Sequence, residues 1–322
     1  MTPASGCGWE ALTGDPLPWL LDERRPNLIW RVLVELVGRP PGSSAVLRAR
    51  GGANAAEPVA TLLAELRPDG TWATEHPPWA RFRGPGWRVV AAAAWGADPD
   101  DPRLHAACER LLETAAGEGG IAAREGSALS AVLTARLVQA AVELGFGRHL
   151  RVQEALAWLE ESPAAWSSGD GRQCAVTAAA VTAALAGRPE LGRQALRDRA
   201  AAAALDALSG DDLAADRLGH PNLARTDLAE MLWALARAGV PFEPRLAAPL
   251  ARLQRLQGGG GRWPRRAPRP ASLPLPSRFR AAVDPSCQWV TLRAVVAMNA
   301  FAVDARLPRL FPSPLAAAGG GQ

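Results

Sequence analysis

The chain contains one tetrad whose spacing suits acid chemistry, Asp98-Pro99-Asp100-Asp101. A carboxyl there could act as a general acid, provided that it projects into a dry cavity where burial keeps it neutral. The surroundings point elsewhere. The tetrad follows Gly96, is interrupted by Pro99, and ends at Asp101 immediately before Pro102. That is an acidic N-cap followed by proline at the first helical position. Asp98 and Asp100 are therefore expected in an exposed loop and dispensable, and the Asp211-Asp212 pair after Gly210 reads as a turn. A zinc pair of the Asp-x-Cys type has its nearest match in Asp284-Pro285-Ser286-Cys287, which is one residue too long, with His220 the distant histidine that could complete it. Four histidines without local pairing do not make a zinc site, so no metal and no cofactor is expected.

A more informative set lies in stretches that are otherwise apolar: Arg31, Arg88, Arg136, Cys174, Thr177, Asp227 and Arg293, with Trp87 and Trp289 beside them. A charge on a helix with no wet face must reach an opening, find a partner, or carry a desolvation cost. Two readings follow. One is a ring of salt bridges joining Arg31, Arg88 or Arg293 to Asp227 or Glu35 and holding the helices together. The other is an arginine-lined, tryptophan-walled cavity for an anionic head on an apolar tail, as in a prenyl diphosphate. Asp227 is the carboxyl at such a helix start that could serve as acid or base. Arg88, Asp227, Trp289 and Arg293 are expected to converge at one end.

Composition removes several alternatives. All 36 basic residues are arginine, which excludes a Schiff-base lysine and a Walker-type phosphate loop. No GxSxG, GxGxxG or HExxH occurs. A net charge of +4 without an aromatic-studded basic sheet or a recognition helix gives no nucleic-acid interface. Cys7, Cys108, Cys174 and Cys287 are scattered, which reads as reduced thiols in a cytoplasm. The longest uncharged apolar run, Cys174 to Ala186, is shorter than the ~20 residues of a spanning helix, so no integral membrane segment is expected.

These residues must be positioned by helices. Alanine, leucine and arginine are abundant and only 6% of residues are aromatic, which favours helix over sheet. Asp101-Pro102-Arg103-Leu104 and Glu243-Pro244-Arg245-Leu246 are the same helix start written twice, with looser copies at Arg188 and His149. Between such amphipathic helices lie others, Ala128 to Leu144 and Cys174 to Ala186, that are apolar on nearly every face and therefore enclosed. Alternation of enclosed and half-wet helices predicts two concentric rings: inner helices starting near Leu28, Trp87, Ala128, Cys174, Thr226 and Trp289, and outer ones near Glu57, Arg103, Val152, Leu191 and Arg245. The fold class is all-α, an α/α toroid of about six helical hairpins.

Gln257-Gly258-Gly259-Gly260-Gly261-Arg262-Trp263 resembles the QW repeat of squalene-hopene cyclases and prenyltransferases. Leu66-Arg67-Pro68-Asp69-Gly70-Thr71-Trp72 and Gly119-Gly120-Ile121 are looser versions. In that family the glutamine caps backbone groups near a helix end and the tryptophan stacks beside it. Arg81 to Arg88 and Ser286 to Arg293 resemble segments that open inner helices in bacterial members of the same terpenoid cyclase and prenyltransferase superfamily. The resemblance spans roughly residues 18 to 303 and implies a single toroid domain there, with a proline- and arginine-rich loop at 258–280, a mobile segment at 1–17 and a tail at 304–322. It implies an apolar, isoprenoid-like ligand. If the chain is an enzyme, the reaction is of the terpenoid type, with aromatic faces stabilising a cation. The alternative is a binding or interaction scaffold that keeps the toroid without the chemistry. Peripheral membrane contact and oligomeric state stay open.

Overall fold

The structure is a computed structural model, and it describes residues 12–73, 75–114, 119–162, 166, 171–209, 217–269, 273–275 and 286–301. The tail at 304–322, Asp211-Asp212, Asp284 and part of the 258–280 loop lie outside the described residues. A short helix α1 (Leu17–Leu20) leads into α2 (Pro26–Glu35), α3 (Ser44–Gly51), α4 (Val59–Leu63), α5 (Pro85–Ala94), α6 (Pro102–Glu113), α7 (Ala131–Glu143) and α8 (Leu150–Glu161). Then come α9 (Gly171–Leu185), α10 (Gln194–Ser209), α11 (Leu228–Arg237), α12 (Ala247–Arg255) and α13 (Gln288–Ala300). Among the described residues the regular structure is helical, with only isolated bridges such as Leu66 to Trp72.

The helices start where backbone chemistry directs. Proline occupies the first turn of α2, α5 and α6, where its missing N–H costs nothing. Asp101 accepts from the Arg103 amide, Ser130 from Leu133 and Asp227 from Glu230. α5, α7, α9, α11 and α13 are buried over most of their length, so little of any face is left for water.

These enclosed helices form a ring. α5 packs on α7, α7 on α9, α9 on α11, α11 on α13 and α13 on α2. The last gap is closed by side chains of α2 bonding the end of α5: Asn27 Nδ2 to the Trp95 carbonyl at 3.0 Å and Trp30 Nε1 to the Gly96 carbonyl at 2.8 Å. Gly96 has φ +66°, and a Cβ there would lie 2.3 Å from the Asn27 carbonyl oxygen, so this seam needs glycine. The remaining longer helices lie outside: α6 and α8 against α5 and α7, α10 against α9, α12 against α11. The result is an α/α toroid.

One joint recurs. The Ile121 amide donates to Thr134 Oγ1 (2.8 Å) and the Ser130 amide returns to the Ile121 carbonyl (2.8 Å). The Trp263 amide donates to Thr291 Oγ1 (2.9 Å) and the Cys287 amide to the Trp263 carbonyl (3.0 Å). Thr134 and Thr291 each stand four residues into an inner helix and tie it to the glycine loop behind it. The indoles of Trp72 and Trp263 donate to the carbonyls of Leu62 and Leu253, each ten residues earlier. Gln257, expected to cap a helix end, instead receives the Thr13 amide at 3.2 Å, while Thr13 Oγ1 donates to the Gly258 carbonyl at 2.9 Å. The N-terminal segment is thus strapped to the last hairpin from Thr13 onward, ahead of the boundary expected at residue 18. Replacing Thr291 by valine keeps the shape but leaves the Trp263 amide buried without an acceptor. Urea unfolding should show a loss of about 1–3 kcal/mol.

Candidate functional site

Glu230 sits in the first turn of α11 and is 1% exposed. Arg136 of α7 meets it with both ends of its fork, at 3.0 Å to each carboxylate oxygen. The other Arg136 donors reach the Leu223 carbonyl (3.0 Å), the Gln139 side chain (2.9 Å) and the Arg225 carbonyl (2.6 Å), so it fixes the chain entering α11 as well as the helix. Arg293 of α13 approaches the same carboxylate at 3.3 Å. Burial alone would raise Glu230, but Arg136 and Arg293 outweigh it and hold the carboxyl below its ordinary range.

A second knot lies at the far end of α2. Arg31 bonds Glu35 at 3.1 Å and Glu143 of α7 at 2.5 Å, and its guanidinium lies 4.4 Å from the centre of the Trp30 ring. Burial opposes the Arg31 charge, and Glu143 and Glu35 more than restore it. Glu35 also accepts from Trp233 Nε1 at 2.7 Å. Its burial is outweighed by Arg237, Arg31 and that indole, so its carboxyl too is lowered. Arg237 and Arg293 lie 4.8 and 4.9 Å from the Trp233 ring centre, which joins the two knots through one indole.

Asp227 is different. Its carboxylate accepts from the Glu230 amide (2.9 Å), the Gly219 amide (2.6 Å) and Asn222 Nδ2 (2.8 Å). Burial, and then the charge of Glu230, push its carboxyl above the usual range despite these donors. Its visible work is to cap α11 and hold the preceding loop. In that loop His220 stacks on Trp289, with ring centres 4.8 Å apart and planes 4° from parallel, and Trp95 meets it edge-on. Burial and then the Arg293 and Arg269 charges drive the His220 pKa well down, so the imidazole is neutral. Among the described residues no three His, Cys, Asp or Glu side chains gather at metal-binding distances.

Between the knots are two voids of about 20 and 10 Å³. Arg31, Glu35, His220, Trp233, Trp289 and Arg293 line the larger. Each is the size of a water or two, far below the volume of a prenyl chain.

Arg31, Arg136, Asp227, Trp289 and Arg293 are therefore brought together near the axis. Trp87 and Arg88 are not. Arg88 bonds Glu65 at 3.0 Å and the Arg83 carbonyl at 3.1 Å beside Trp72, and Trp87 packs edge-on against Trp79 at 5.4 Å. The expected convergence of Arg88 with Asp227 and Arg293 is corrected: a carboxylate on the α4 side of α5 takes Arg88 instead. Thr177 bonds back to the Gln173 carbonyl within α9, and Cys174 is half-buried with its thiol raised by burial and Asp206. The tetrad expectation needs a similar correction. Asp100 is exposed, but Asp98 is half-buried and accepts from Arg50 of α3 at 3.1 Å.

Glu143, Glu230 and Trp233 were missed as site residues. A signal was present, since Glu230 and Glu143 are carboxylates on helices apolar on almost every other face, as informative there as an arginine.

One solved structure that this chain resembles is that of the type II terpene cyclase MstE from Scytonema, without ligand, at 17% identity over 85% of this chain and 87% of that one, with a TM-score of 0.43. No family model matches the chain, and no curated protein does.

The network has a defined acid response. Glu230 and Glu35 are lowered in the folded chain, so their contribution is complete above the ordinary glutamate value of 4.5 and is lost as pH falls through the folded pKa. Asp227 is raised above 3.8 and acts oppositely, favouring the fold on the acid side. Glu230→Gln should cost about 3–5 kcal/mol at neutral pH, because two buried arginines lose their counter-charge. Denaturant titrations should show that the gap from wild type narrows once the pH is brought below 4.5.

Proposed function

We propose that this chain is a binding scaffold: a terpenoid-cyclase-like toroid whose axis is closed by ion pairs and which engages partners without carrying out chemistry there. The observation that supports it is the pairing at the axis. Arg31 is matched by Glu35 and Glu143, and Arg136 and Arg293 by Glu230. A diphosphate entering between them would have to displace buried carboxylates from bonds made at 2.5 to 3.3 Å. The Gln257 joint and the recurring threonine joints fit a repeat used to stiffen the ring. No helix among the described residues is long and apolar enough to cross a membrane. The free thiols of Cys108, Cys174 and Cys287 support a cytoplasmic setting.

A second reading is a terpenoid-type enzyme with Asp227 as the acid and Arg31, Arg136, Arg293 and Trp289 around the ligand. What favours it is the raised pKa of a fully buried carboxyl. Mass spectrometry of organic extracts from the purified protein, with incubation on squalene and on geranyl and farnesyl diphosphate, separates the two. The scaffold reading expects no isoprenoid carried through purification and no product. Turnover that disappears in a folded Asp227→Asn variant would replace it with the enzyme.

A further inference from the structure

A further cavity, of about 130 Å³, is lined by the residues where α9 ends and α10 begins. Its lining carries the side chains of Arg188, Arg193 and Arg197 and no carboxylate. Arg193 is fixed in place, bonding Glu160 at 3.0 Å and the Gln153 carbonyl at 3.2 Å. The other two are loosely held. Arg188 stands 3.9 Å from Glu190 and Arg197 stands 3.8 Å from Asp198, beyond hydrogen-bonding distance, so their forks keep donors to offer.

The backbone adds to this charge. Gly192 turns the chain through φ +66°, and α10 then runs for 16 residues from Gln194. The residue ahead of it is Arg193, whose side chain has only donors and cannot cap the helix as Asp or Ser would. Gln194 does not compensate, because its amide donates to the Asp198 carboxylate at 2.7 Å. The partial positive charge of the α10 N-terminus therefore faces the same cavity as the three guanidinium groups.

We infer that this cavity is a binding site for a phosphate group, carried by inorganic phosphate or by a phosphate monoester whose substituent points to solvent. Several oxygens on one tetrahedral centre match separate arginine forks and a helix end at once, which a single carboxylate does not. At about 130 Å³ the cavity admits a phosphate group together with part of its substituent or bound water. This site shares no lining residue with the axial voids and is independent of whether the toroid is a scaffold or an enzyme.

The test is calorimetric titration at constant ionic strength with inorganic phosphate, glycerol phosphate and chloride. Phosphatidylcholine vesicles with and without phosphatidic acid form a parallel arm. Phosphate should bind and chloride should not, and Arg188→Gln with Arg197→Gln should weaken phosphate at least about tenfold. Arg255→Gln, an exposed change on α12, should alter it by less than about twofold. Vesicle binding that free phosphate displaces would identify a lipid headgroup as the source. Phosphate binding no tighter than chloride, or equal losses in the double variant and Arg255→Gln, would overturn the site. Circular dichroism of each variant confirms that the fold is intact.

Discussion

A carboxylate that is 1% exposed in the interior of a helical ring can persist only if charge and hydrogen bonds meet it from several sides, and Glu230 is such a group. Its partners come from α7 and α13, on either side of the chain in sequence, while Arg136 also holds the two carbonyls that lead into α11. Removing Arg136 takes away the bidentate partner and leaves Glu230 with Arg293 alone, at 3.3 Å; rotating α11 by one residue takes the carboxylate off both. The net gain in stability from such a cluster over a well-packed apolar core is small or negative. Its physical effect lies in the cost of the alternatives. Alanine-rich helices slide past one another with little change in packing, and the ion pairs single out one register of α7, α11 and α13.

The same requirement shapes the interior. A cyclase-like chamber needs uncommitted donors around an open volume, with aromatic faces turned toward it. Here the aromatic faces are present, but guanidinium groups already lie against them: Arg31 on Trp30, Arg237 and Arg293 on Trp233. Trp289 is covered by His220, whose loop is in turn held by Asp227. Each of these three indoles is met by a guanidinium group or a neutral imidazole.

The element starts were legible because each depends on a few adjacent residues. Asp101 before Pro102 and Asp227 before Leu228 have backbone consequences that do not depend on the rest of the chain. The separation of enclosed from amphipathic helices was legible for the same reason, being a property of one helix at a time. What was not legible was pairing across the ring. Arg88 lies in an enclosed helix just as Arg136 does, yet one turns to Glu65 on a neighbouring turn and the other to a residue 94 positions away. Nothing in the local sequence of either distinguishes them, because the choice depends on which neighbour presents a carboxylate once the ring has closed.

The seam between the first and last hairpins shows how ring closure sets such choices. A ring of six helices has one junction between helices that are not successive inner helices along the chain, and here it joins α13 to α2. It is reinforced from outside by the N-terminal segment: Gln288 donates to the Trp19 carbonyl at 2.6 Å, Arg262 lies 4.4 Å from the Trp19 ring, and Thr13 bonds Gln257 and Gly258. From inside it is reinforced by Trp233 reaching Glu35. Residues near the start of the chain thus meet residues more than 200 positions later, contacts that carry the largest loop-closure entropy and form after the local hairpins. The ion pairs of Arg31 depend on α2 being docked, since Arg31 and Glu35 meet Glu143 of α7 and Trp233 of α11 only then. Docking of α2 therefore completes the ring and the Arg31–Glu143 and Glu35–Trp233 contacts together, whereas the Glu230 cluster is built by α7, α11 and α13 alone.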